Sequence, residues 1–122
     1  MNNLLVYLYE TLSNVHTNTH LEIAKDDAPY PYIVFNLPTS TDAERQRQDF
    51  ILEVDIWDQT TDTRALETLT DDIDKTIKKV RYVDDNQLLI FTRINRLMIS
   101  DPDPMIRRRQ LRYEIKRYEV ES

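Results

Sequence analysis

Glycine and cysteine are both absent from the 122 residues. Average glycine usage is about 7%. Walker loops, dinucleotide fingerprints and nucleophile elbows place glycine where the backbone turns sharply or meets a ligand closely. All three are excluded in their usual form. Turns must use other residues, and Asp84-Asp85-Asn86 and Asp101-Pro102-Asp103-Pro104 supply them. Asp and Asn side chains bond nearby backbone amides, and proline presets φ. The lack of cysteine excludes disulfides and thiolate chemistry and suits a reducing compartment. Apolar runs such as Leu88-Leu89-Ile90-Phe91 fall far short of the ~20 residues of a membrane helix. Met1 to Leu8 has no basic n-region and no small-residue cleavage site, so no secretory signal is expected.

About 40% of the residues are apolar, enough for one core, so a single domain over residues 1–122 is expected. The net charge is −6, unevenly spread. Residues 1–75 hold 15 acids and 5 bases, and residues 76–122 hold 7 acids and 11 bases. The plain reading is an uneven solvated surface. The sharper one is a bipolar protomer whose positive face meets the negative face of the next copy, a head-to-tail contact that closes into rings when the rotation permits.

Leu5, Leu8, Leu12 and Val15, with Leu4 and Tyr7 beside them, form a helical stripe, and Asn2 or Asn3 is a candidate N-cap. His16 to Asp27 is polar, and the alternation of Leu21 and Ile23 allows a short strand or extended segment. Tyr30 to Leu37 reads as a strand, with Pro31 confining it to an edge or to the strand's start. Pro38 to Gln48 has no apolar anchor and reads as an exposed loop or the extended tip of a hairpin. Phe50, Leu52, Val54 and Ile56 then share one strand face and are assigned to the core; Ile51, Glu53, Asp55 and Trp57 take the other. Thr61, Asp62 and Thr63 are candidate caps for a helix carrying Leu66, Leu69, Ile73, Ile77 and Val80. Its acids precede its bases, which suits the helix dipole. Leu88 to Ile99 is a strand whose alternation slips between Ile94 and Leu97, the mark of a bulge. Arg109 to Val120 is the last strand, with Leu111, Tyr113 and Ile115 inward. The expected class is α+β: an antiparallel sheet of about four to five strands with two helices on one face.

No catalytic constellation stands out. His16 and His20 with Glu22 and Asp26 lack the His-Glu-x-x-His pattern and a helix to carry it, and read as surface residues. Glu53 and Asp55 share a strand face, where alternate acids mark a solvated or interface surface more often than a hydrolase pair. Asp71, Asp72 and Asp74 read as a solvated helix surface. Arg107-Arg108-Arg109, with Arg112, Lys116 and Arg117, is a basic run able to meet phosphates. The inward Leu111, Tyr113 and Ile115 oppose a stacking platform, and the acidic total opposes general DNA affinity. An ion-pairing patch for a protein partner is the favoured reading.

An N-terminal helix, then Tyr30-Pro31-Tyr32-Ile33-Val34-Phe35, then a polar loop, the strand Phe50 to Trp57 and the helix Thr63 to Tyr82 follow in order. In that order the chain resembles the tail completion, or tail terminator, family of long-tailed bacteriophages and prophages. The resemblance implies a structural protein of the virion with no catalytic residues, cofactor or metal. Its copies would form a ring, commonly a hexamer, at the head-proximal end of the tail tube. The ring would stop tube polymerisation and dock to the head–tail connector. Phage DNA would pass through it without sequence-specific binding, with no membrane involved and the host cytoplasm as the place before assembly. The candidate assembly interface is Asp42, Glu44, Arg45 and Arg47 in the polar loop, Asp101 and Asp103 in the connector, and Arg107, Arg108 and Arg109. Charge reversal at Arg108 and Arg109 is expected to weaken assembly and leave the fold intact. The alternatives are a head–tail joining or stopper protein, a small nucleic-acid-binding regulator and, last, an enzyme.

Overall fold

The computed structural model describes residues 2–43, 47–78 and 81–119. Helix α1 spans Asn2–Val15 and buries Leu4, Leu8 and Leu12. Asn2 and Asn3, expected as caps, lie in its first turn instead. Strand β1 (Thr19–Leu21) follows, then β2 (Tyr32–Asp42), β3 (Arg47–Gln59), helix α2 (Arg64–Lys78), β4 (Arg81–Val83), β5 (Gln87–Ser100) and β6 (Ile106–Glu119).

The α+β class holds, but the sheet differs from expectation. It has six strands among the described residues, in the order β1-β2-β3-β6-β5-β4. It is mixed, because β1 pairs parallel to β2 while the other neighbours are antiparallel. β1 and β4 are only three residues long. β1 overlaps the short strand or extended segment expected near Leu21, whereas β4 escaped the sequence because period-2 patterning needs about four residues to register. The polar stretch, expected as an exposed loop or the extended tip of a hairpin, is the hairpin and is mostly strand. β2 runs to Asp42 and β3 starts at Arg47, making an extended hairpin that is exposed along β2 from Pro38 to Asp42. β2 begins immediately after Pro31, where the missing N–H costs no ladder bond.

One apolar cluster joins both helices to the inner sheet face. Phe50, Leu52, Val54 and Ile56 of β3 and Leu111, Tyr113 and Ile115 of β6 are all buried, as the alternation required. Leu66, Ile73 and Ile77 of α2 complete the layer. Each contributes about 1.5–3 kcal/mol by leaving water. Val80, assigned to the same stripe, lies outside the described residues. The expected bulge in β5 is present, with the register shifting between Arg93 and Asn95.

Turns without glycine are built by carboxylates. Asp84 Oδ1 accepts from the amides of Asn86 (2.7 Å) and Gln87 (2.9 Å). Asp101 Oδ1 accepts from Asp103 N, and Asp103 Oδ1 from Met105 N, both at 2.9 Å. Thr63 starts α2, its carbonyl accepting from Glu67 N at 2.8 Å. The Asp62 carboxylate binds Arg64 N at 3.0 Å. Among the described residues only Glu22 takes a positive φ, 67°, a conformation for which glycine is the usual choice.

Candidate assembly surfaces

Strand alternation decides where the charges go. β6 begins at Ile106, three residues earlier than expected, so the arginine run lies within the strand. Successive side chains then point to opposite faces. Arg108 goes to the outer face, which carries no helix. Arg109, in register with Ile56, goes inward, where it is 7% exposed. The run therefore forms no single basic patch.

The inward arginines meet the acids of α2. Arg109 Nε donates to Glu67 Oε1. Arg96 bridges Glu67 (2.7 Å) and Asp71 (2.6 Å). Burial pushes the Glu67 carboxyl up, but the Arg109 and Arg96 guanidinium groups outweigh it and hold the group below the usual glutamate range. Two turns on from Glu67, Asp74 is 6% exposed. It accepts from Tyr113 Oη at 2.7 Å and from Arg93 at 2.9 Å. Burial and this bond to a carboxylate both raise the Tyr113 phenol. Asp74, expected on a solvated surface, is thus an internal anchor. Helix periodicity could not show this, because Arg93 and Tyr113, which hold it, lie on β5 and β6.

On the outer face, Asp55 accepts from Arg108 at 2.8 Å and from Gln110 at 3.1 Å. Arg112 stands opposite Glu53 at 3.4 Å, an ion pair whose Nε lacks an aligned hydrogen bond. The Arg108 guanidinium lies 4.7 Å from the Trp57 ring centre. Trp57 stacks with Tyr32 at 6.3 Å, and Tyr32 meets Tyr30 at 5.2 Å. Tyr32, Trp57, Arg108 and Ile99 stand in one row across four strands. Trp, Tyr and Arg are the residues that dominate protein interfaces. A groove of 440 Å³ opens beside them, bordered by Ile23, Val34 and Asp55. Alternation alone placed Trp57 on this face; the stack with Arg108 needed the β3–β6 register.

The remaining site residues are scattered. Asp42 and Arg47 sit at the hairpin tip, where Gln48 bonds Asp42 at 3.3 Å and Arg47 forms a paired bond with Asp49 at 2.9 and 3.0 Å. Glu44 and Arg45 lie outside the described residues. Asp101, Asp103 and Arg107 are at the opposite end of the sheet, beside a 570 Å³ cleft reaching Met98 and Ile106. Both aspartates bond turn amides there. Arg107 reaches Thr60 O at 3.4 Å.

Part of the charge asymmetry of the sequence is consumed within the protomer. Arg93, Arg96, Arg108, Arg109 and Arg112 from the basic third all pair with acids of the first 75 residues. Of the two histidines, His16 places Nε2 2.8 Å from Pro31 O. Among the described residues no group of three or more His, Asp or Glu is placed to hold a metal ion.

A chain in the virion of a native gene transfer agent (GTA) particle has a similar fold. Its TM-score is 0.72, with 10% identity, over 88% of this chain and 84% of that one. No curated protein matches the sequence. The family model of tail completion protein gp17 matches residues 10–117, from the middle of α1 almost to the end of β6. That span takes in the hairpin, both ion-paired layers and the aromatic row, and the chain belongs to this family of structural phage tail proteins.

Proposed function

We propose that the protein is a tail terminator. Copies form a ring at the head-proximal end of the tail tube, stop tube growth at its set length and present the surface to which the head connector docks. DNA passes through the ring, and the work is done by complementary surfaces. The family match over residues 10–117 carries this reading. The helix-free outer face, with its Tyr32–Trp57–Arg108 row, supports it, because a surface of this composition suits a protein partner. Asp42 and Arg47 at one end, and Asp101, Asp103, Arg107 and Arg108 at the other, are proposed as contacts to the tube, the connector or the next copy. Arg109 is proposed to act indirectly, by fixing α2 on the sheet.

The test is electron microscopy of particles from a phage deprived of this chain. Overlong tails and unjoined heads are expected. Tails of normal length would show that termination belongs to another protein.

A further inference from the structure

Both ends of the sheet are stepped. β1 covers β2 only at Ile33–Phe35, and among the described residues no strand covers Asn36 to Asp42 on that side. β4 covers β5 only at Leu88–Ile90, leaving Phe91 to Ser100 open in the same way. The two open halves lie at opposite ends of the strands. The row His20–Val34–Asp55–Gln110–Leu97 puts β1 level with the open half of β5. The row Thr41–Asp49–Lys116–Ile90–Arg81 puts β4 level with the open half of β2. Each short strand therefore stands at the height of the gap at the other edge.

A second copy set beside the first in the same orientation brings its β1 into the gap along β5. The first copy's β4 enters the gap along the second copy's β2. Strand directions fit. β1 runs opposite to β5, giving an antiparallel contact, and β4 runs with β2. The chemistry fits as well. Ten large apolar side chains are exposed among the described residues, and six of them lie on or just after these edge elements. They are Leu21, Ile23, Val83, Ile94, Leu97 and Met98. Ile23 is 81% and Met98 75% exposed. Open strand edges with apolar side chains pair with another strand unless something blocks them.

We propose that copies of this chain join through these stepped edges, β1 of one against Asn95–Ser100 of the next, so that one sheet continues from copy to copy. The joint rests on the ring reading above and adds its contact. Because the two edges differ, the contact is head-to-tail and repeats around a ring.

The chain's lack of cysteine makes disulfide trapping unambiguous. One variant carries His20→Cys with Leu97→Cys. A second carries Leu21→Cys with Met98→Cys, allowing a two-residue offset. A disulfide forms only when the Cα atoms come within about 7 Å. Mild oxidation should move most of the chain from monomer into a covalent ladder with at least one pair. The control, Val6→Cys with Met98→Cys, should remain largely monomeric. Native mass spectrometry of the unaltered chain, alone and with purified tail tubes, runs in parallel. Multimers without a ladder from either pair would overturn the stepped joint and leave the ring reading standing. A chain that stays monomeric and ignores tail tubes would overturn both. A variant with Leu97→Lys and Met98→Lys should melt as the parent does yet fail to assemble; intact multimers from it would also overturn the joint.

Discussion

Replacing Tyr113 by Phe tests the buried polar anchor at the centre of the fold. The ring is fully buried, and its hydroxyl donates to Asp74 at 2.7 Å. Phenylalanine fills the same space, so no cavity arises and the loss isolates the hydrogen bond. A bond to a charged acceptor contributes about 1.5–3 kcal/mol. Asp74 keeps Arg93 at 2.9 Å, so the loss should sit near the middle, at about 2 kcal/mol. For a chain of this size that lowers the melting point by about 6–10 °C. Urea unfolding followed by circular dichroism at neutral pH measures it. Coupling to Asp74→Asn in a double-mutant cycle should reach at least about 1 kcal/mol, since the groups touch. There is also a pH signature. The folded phenol is held above its ordinary range, whereas the unfolded one ionises near pH 10. Above that pH the unfolded state has lost a proton that the folded state keeps, so stability falls as pH rises. The parent's advantage over Tyr113→Phe should therefore shrink above about pH 10. A loss below about 0.5 kcal/mol, or no shrinkage in alkali, would refute the anchor.

Other substitutions separate fold from assembly. Arg109→Glu should unfold more easily by about 3 kcal/mol, the low end for a broken buried pair because Glu67 is itself partly exposed. Its measurement is urea titration, and an unchanged midpoint would remove Arg109 from the frame. Arg108→Glu sets a second acid against Asp55 and removes the cation from Trp57. It should lower binding to tail tubes in co-sedimentation more than it lowers the melting point. The Glu67 carboxyl is held below its ordinary range, so its contribution is present above about pH 4.3 and is lost as pH falls through the lower folded value. Acid titration of Glu67→Gln should accordingly show a shallower loss than the parent. Reversing Asp42 at the exposed hairpin tip should leave melting unchanged and reduce tail completion in a plating assay.

The core strands and both helices were legible because their signals are local. Phe50 to Ile56 alternates over seven residues, and Leu66, Ile73 and Ile77 repeat at helical steps, so each fixes its own buried face. The absence of glycine likewise announced that aspartates would build the turns, and Asp84, Asp101 and Asp103 do. The partners of the charges were not legible. Arg109 and Glu67 are 42 residues apart, and their meeting depends on β6 lying between β3 and β5 under α2. The arginine run looked like a patch because a sequence has no faces; a strand that starts at Ile106 instead of Arg109 divides it. The short strands β1 and β4, and with them the stepped edges, exist only through their long neighbours, since three residues alone carry no period. Local periodicity therefore determined what is buried, whereas long-range register decided which charges cancel inside and which side chains are left for a partner.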